Sequence, residues 1–216
     1  MPAALQPPSR PTLTELARRY GDMPARRIRL DRYPADESEV DELWNTERRI
    51  YELVDGVLIQ KDSLFRDGVI AASIACELSN FVCGKSLGVV AGGSGMMRLA
   101  PGLVRVPDAS FIRKAQFPGG RVGRDPIPDI HPDLAVEVIS PGNTVEEMDE
   151  KLCDYFASGT VLVWYVEPDT RSVLVFTDPE RANAKRLSVA DTLDGGTVLP
   201  SFALPVAALF AELDAI

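Results

Sequence analysis

The run Leu134-Ala135-Val136-Glu137-Val138-Ile139 places one carboxylate inside an apolar, β-branched segment. Such a segment reads as a strand covered on both faces, which calls for a sheet with further layers above and below it. Burying an ionised carboxylate costs several kcal/mol unless a cation, a hydrogen-bond donor or a metal meets it. Groups that hold such charges concentrate at functional sites, so Glu137 constrains both the fold and the search for chemistry. The bland alternatives are a Glu at the open end of the strand, or one paired with a structural arginine.

With 216 residues, 45% of them hydrophobic, the chain can build one domain with a sizeable core. No apolar stretch reaches the roughly 20 residues needed to span a bilayer. Met1 to Pro8 lacks the basic-then-apolar order of a signal peptide. Cys76, Cys83 and Cys153 have no C-x-x-C spacing and read as buried free thiols in a reducing compartment, so a cytoplasmic protein is expected. The net charge of −9 is unfavourable for a nucleic-acid reader, because non-specific binding rests on Lys and Arg neutralising phosphates. It still permits a nuclease, since part of an acidic excess can be metal ligands and a local basic strip can survive. Arg98, Arg105, Arg113, Lys114, Arg121 and Arg124 concentrate in mid-chain and read as a solvated rim.

Along the chain, residues 1–49 read as a Pro-rich lead-in followed by helices that pack on a core domain spanning 50–216. The first helix runs from Thr12 to Tyr20, with Thr12 and Glu15 as a capping box and Gly21 as its end. A second covers about Asp36 to Arg49 with Val40, Leu43 and Trp44 inward. Asp55-Gly56 predicts a tight hairpin between 51–54 and 57–60. A long helix follows over 69–82. Gly92 to Gly95 reads as a hairpin turn between strands at 89–90 and 96–99, lacking the spacing of a phosphate-binding loop. Leu103 to Ile112 reads as one strand, and 118–132 as a long Gly/Pro/Asp-rich loop. After the Glu137 strand come a turn at 140–143, a helix over 144–157, a strand pair at 160–166 and 172–176, and a final amphipathic helix at 206–213. The expected architecture is a single α/β domain with a mixed sheet flanked by helices.

Three carboxylates fall in strands or at strand ends: Glu52, Asp108 and Glu137. Oxygen ligands without nearby His or Cys suit a hard cation such as Mg²⁺ or Mn²⁺. Lys151 supplies a positive group on the helix after the Glu137 strand, one turn before Tyr155 and on the same face. Each has a bland reading beside it: Asp108 as a turn residue, Glu52 paired with Arg48 or Arg49, Lys151 solvated, Tyr155 packing. His131, Asp125, Asp129 and Asp133 read as structural, Asn143-Thr144 as a helix cap, and Trp44 and Trp164 as core.

From about Tyr51 to Phe176 the chain resembles the Uma-type family of proposed endonucleases, within the restriction-endonuclease-like PD-(D/E)XK nuclease superfamily. The matching stretches are Tyr51-Glu52-Leu53-Val54-Asp55-Gly56, Val106-Pro107-Asp108, Pro132 through Glu137 to Pro141, Lys151 through Tyr155 to Gly159, and Trp164-Tyr165-Val166. No single one is specific; the ordered set is. The resemblance implies a restriction-endonuclease-like fold and metal-dependent hydrolysis of DNA phosphodiester bonds. Asp108 and Glu137 would be the principal Mg²⁺ (or Mn²⁺) ligands, with Glu52 assisting and Lys151 orienting or activating water. By analogy, a homodimer with two sites would cut both strands of a duplex. Two departures stand out. Ile139 occupies the position where the written motif has a lysine, and Phe65-Arg66-Asp67 stands where many relatives carry a histidine. The alternatives are a catalytically inactive interaction protein of the same fold, or a phosphodiesterase acting on RNA or a nucleotide.

Overall fold

The computed structural model describes residues 10–214. Helix α1 (Leu13–Tyr20) begins at the Thr12–Glu15 capping box and ends at Gly21, as the sequence predicts. Strand β1 (Ile28–Arg29) follows, then α2 (Glu37–Glu47), whose N-terminal amides are capped by the Asp36 carboxylate. Strands β2 (Tyr51–Val54) and β3 (Val57–Gln60) form the hairpin, with Asp55 and Gly56 both at positive φ, the backbone of a type I′ turn. Helix α3 (Phe65–Val82) starts four residues earlier than its apolar periodicity implies, because the Asp67 carboxylate reaches back 3.0 Å to the Leu64 amide.

Next come β4 (Gly88–Gly92), β5 (Met97–Ala100), β6 (Leu103–Arg105) and β7 (Ala109–Arg113), then the long loop and β8 (Leu134–Val138). Helix α4 (Val145–Ser158) is capped by Thr144 and leads to β9 (Leu162–Glu167), β10 (Ser172–Phe176) and β11 (Lys185–Leu187). A ribbon of β12 (Thr192–Gly195) and β13 (Leu199–Pro205) precedes a final helical stretch, Val206–Leu213, which winds as a 3₁₀ helix.

Two larger sheets hold every strand but β12 and β13, which pair with each other. One has the order β1-β3-β2-β6-β5 and the other β11-β10-β9-β8-β7-β4. Two expectations are corrected here. The Gly92–Gly95 segment is not a hairpin turn, because β4 pairs with β7 while β5 pairs with β6 in the other sheet. Leu103 to Ile112 is not one strand: it breaks at Val106-Pro107-Asp108 and passes from the first sheet into the second. Pro107 cannot donate to a ladder, which is the physical reason for the break.

The six-stranded sheet is covered on both faces. Leu134, Val136 and Val138 face the layer containing Ile70, Ile74 and Leu78 of α3, while Ala135 faces Met148, Leu152 and Tyr155 of α4. Alternation along β8 therefore sends Glu137 to the α4 side. The cysteine expectation is also corrected. Cys76, Cys83 and Cys153 are free but exposed, on the outer faces and ends of α3 and α4. Trp164 is fully buried, whereas Trp44 is only half-buried.

Candidate active site

Asp108 and Glu137 are brought together by the β7–β8 ladder. The ladder ends with Ala109 opposite Val136, and Asp108, the residue before it, still bonds to β8, beside Glu137. The Asp108 amide donates to the Val136 carbonyl at 2.9 Å, and the Val138 amide donates to Asp108 Oδ2 at 2.7 Å. The two carboxylates are close enough that the Asp108 charge acts on Glu137, and like charges repel. Cations supplied by other elements offset that repulsion.

Lys151, buried on α4, places its ammonium 3.2 Å from Glu137 Oε1 and 3.0 Å from Glu52 Oε1. Tyr155, one turn later, donates its hydroxyl to the same Glu137 oxygen at 2.6 Å. Lys61, just after β3, sits 2.8 Å from Asp108 Oδ1 and also donates to the Val106 carbonyl. The Glu52 carboxylate is fully engaged: besides Lys151 it accepts the Val106 amide at 3.1 Å and Arg105 Nη1 at 2.9 Å. Arg105 has no exposed surface and its other side meets Asp154 at 2.5 Å. Arg105 also lies 3.5 Å from Glu150, and the Lys61–Asp108 pair joins this network through the Val106 backbone.

The two buried glutamates respond in opposite directions. Burial alone raises the Glu52 carboxyl, but the Lys151, Arg105 and Lys61 charges outweigh it and hold it at about 2. Burial also raises Glu137; Lys151 and Lys61 oppose this, Asp108 and Glu52 reinforce it, and the balance stays above the ordinary range. Burial pulls the Lys151 ammonium down, yet Glu137, Glu52 and Glu147 more than compensate, so it remains charged.

Four residues singled out by sequence converge here: Glu52, Asp108, Glu137 and Lys151. Sequence reasoning missed three others. Arg105, read as part of a solvated rim, is the most buried cation of the site. Lys61 was not singled out, although the Asp55-Gly56 turn fixes the hairpin register and puts Lys61 opposite Ile50, on the face of the sheet that carries Glu52. Tyr155 was read as packing, and its hydroxyl binds Glu137. Glu52 pairs with Arg105, its neighbour across β2 and β6, rather than with Arg48 or Arg49. Ile139 is partly buried against the α4-side core and offers no charge.

Among the described residues, no group of three His, Cys, Asp or Glu side chains is arranged to hold a metal ion. Mg²⁺ needs no such cage, being held by one or two carboxylates together with water and substrate phosphate. Asp108 and Glu137 are such a pair: all-oxygen donors at the end of the β7–β8 ladder, with Asp108 forming part of the wall of an open cleft. The donor set therefore fits a hard divalent cation at these two residues. Glu52 is held by Lys151, Arg105 and the Val106 amide, and Asp108 by Lys61 and the Val138 amide, so a cation at Asp108 would take the place of the Lys61 ammonium.

A family model described as "Putative restriction endonuclease" matches residues 38–207, most of the chain and all of the elements that carry this network. The chain belongs to the Uma2 family. A solved structure with the same fold is titled a "putative nuclease belonging to DUF820" from Anabaena variabilis ATCC 29413. It shares 19% sequence identity with this Uma2 protein at a TM-score of 0.72, covering 83% of this chain and 99% of that one. No curated protein matches. No helix among the described residues is long and apolar enough to cross a membrane.

Proposed function

We propose that this Uma2 protein is a metal-dependent endonuclease that hydrolyses DNA phosphodiester bonds, with Mg²⁺ or Mn²⁺ held by Asp108 and Glu137. The observation that carries this reading is the placement of Lys151, whose ammonium bridges Glu137 and Glu52 although it lies on the helix following the Glu137 strand. It occupies the neighbourhood that a lysine at position 139 would have filled. A bound divalent cation would supply Lewis-acid polarisation of the phosphate and a lowered pKa for its water.

The protein groups divide the remaining work. Lys151 has three N–H donors, and two are committed to Glu137 and Glu52. In this reading the third would serve a phosphate oxygen or the attacking water. Because the flanking carboxylates keep Lys151 protonated, its part is electrostatic, stabilising charge that grows on the phosphate as the water oxygen bonds to phosphorus and one ester P–O bond breaks. The water proton is lost to solvent and the departing ester oxygen takes one from solvent, since Asp108 and Glu137 are assigned to the cation and are not also the base. Glu52, expected from the sequence as an assisting ligand, is assigned to holding Lys151 in place, with Arg105 fixing Glu52 in turn. Tyr155 orients Glu137.

Titration calorimetry with Mn²⁺ tests the metal assignment without turnover. Binding to the wild-type protein, reduced tenfold or more in Asp108→Asn and in Glu137→Gln, is the expected result. Affinity unchanged in both variants contradicts it and favours the inactive interaction protein, a reading supported by the lysine already seated on each carboxylate.

A further inference from the structure

Asp108 opens into a cleft of about 530 Å³ that also includes Trp44, Arg48, Arg49 and Lys61, with Ala72 and Ala75 of α3 forming its floor. The cleft is small-residue and apolar on one side, aromatic on another and basic along its rim. Trp44, read from the sequence as core, is half-buried at its wall, and the Arg48 guanidinium lies 6.0 Å from its ring centroid. Two further depressions adjoin the first through Arg49 and Gln60, and both are also lined by Arg26. Arg26, Arg48 and Arg49 are all exposed at their side chains. Basic side chains therefore run from Arg26, paired with Asp62 at 2.9 Å, past the exposed Arg49 to Lys61, paired with Asp108 at 2.8 Å, on a chain whose net charge is −9.

We propose that this cleft seats an unpaired nucleotide of a single-stranded nucleic acid, its base stacked on Trp44 and its flanking phosphates on Arg49 and Arg26. The inference rests on the nuclease reading and narrows its substrate from duplex to unpaired strand. Three features carry it. The cleft has the capacity for one nucleotide, whereas a duplex presents stacked, paired bases that cannot enter it. An aromatic ring beside a short basic track is the combination by which single strands are held, with stacking tolerant of sequence. The acidic remainder of the molecule repels the wide, dense charge of a duplex while three or four arginines and lysines suffice for a few phosphates.

The test is fluorescence anisotropy in EDTA with end-labelled oligonucleotides: single-stranded DNA, single-stranded RNA of the same sequence, and the blunt DNA duplex. Wild type is compared with Trp44→Leu, which keeps apolar contact with the core, and Arg49→Gln. Single strands should bind at least tenfold tighter than the duplex. Trp44→Leu should weaken single-strand binding about tenfold or more and leave the weak duplex binding unchanged. Arg49→Gln should lower the slope of log K against log salt by about 0.7, the value of one phosphate contact on a single strand. Quenching of tryptophan emission by the oligonucleotide in wild type, absent in Trp44→Phe, reports stacking directly and is not moved by a purely structural role. The DNA and RNA arms separate the two sources of an unpaired nucleotide. Equal or tighter duplex binding, an unaltered Trp44→Leu, or no quenching overturns the proposal. If metal-dependent cleavage that needs Glu137 persists alongside such a result, the nuclease reading stands and only the unpaired substrate falls; absence of both binding and cleavage removes both.

Discussion

Glu52 and Glu137 share Lys151 yet are driven apart, and this is the residue-scale origin of the site's pH behaviour. Glu52 is held at about 2 against an ordinary value of 4.5, so its ionisation contributes stability that is fully present above pH 4.5 and is lost as pH falls from there towards 2. Glu137 lies above 4.5, so its ionisation opposes folding as pH rises through its folded pKa. Removing one partner of a buried pair costs about 3–5 kcal/mol. Glu52→Gln should therefore cost about that much at pH 7, more than Glu137→Gln, and the Glu52→Gln deficit should narrow below pH 4.5. Urea unfolding at pH 7, 5 and 3.5 checks this, and a Glu52→Gln deficit that stays constant across that range contradicts it. Glu137 was legible because it stands at odds with its apolar neighbours, whereas Asp108 and Lys151 stood out only through their place in the ordered set that resembles the family. Arg105 and Lys61 were not singled out, because their roles follow from cross-strand register, which assigns partners by counting along ladders rather than by local pattern.

At the scale of elements, the site depends on a strand break and a helix start. Val106-Pro107-Asp108 carries the chain from one sheet to the other and leaves Asp108 at the mouth of the second ladder. Leu103 to Ile112 looked continuous because apolar, β-forming residues dominate it at both ends; Pro107 signalled the change. The Gly92–Gly95 segment misled for a related reason, since a turn between two strands says nothing about whether those strands pair with each other. The 55–56 hairpin and the α1 cap were readable because their signals are local and specific. Helix α4 must begin in the right place for Lys151 to reach Glu137. Thr144 accepts the Glu147 amide at 3.2 Å and donates to the Tyr20 carbonyl at 2.7 Å, tying α4 to α1. Asn143 and Arg27 then fasten Glu147, with Arg27 Nη2 at 2.7 Å in a buried pair. Thr144→Ala should destabilise by about 1–2 kcal/mol, measured by thermal or urea unfolding. A change below about 0.3 kcal/mol would show that the α1–α4 junction does not depend on this cap.

At the scale of the whole molecule, the two sheets meet where Glu52 and Arg105 of one approach Glu137 of the other, with Lys151 of α4 between the glutamates, so the network is also the seam of the fold. The acidic composition, which argued against nucleic acid, is a property of the average surface; the basic track past Arg26 and Arg49 is a local one that composition cannot reveal. The basic concentration visible in sequence between Arg98 and Arg124 was misleading by the same logic, since its most central member, Arg105, is fully buried. The central claim is that Asp108, Glu137 and Lys151 form a phosphodiester-hydrolysing site. It is tested most directly by incubating supercoiled plasmid and single-stranded DNA with Mg²⁺ or Mn²⁺ at low salt, comparing wild type with Glu137→Ala and Lys151→Ala, each first shown to be folded. Cleavage that requires the metal, disappears in Glu137→Ala and falls by about 10²–10³ in Lys151→Ala is the predicted result. Cleavage that survives unchanged in both variants, or that no metal supports in the wild type, contradicts it.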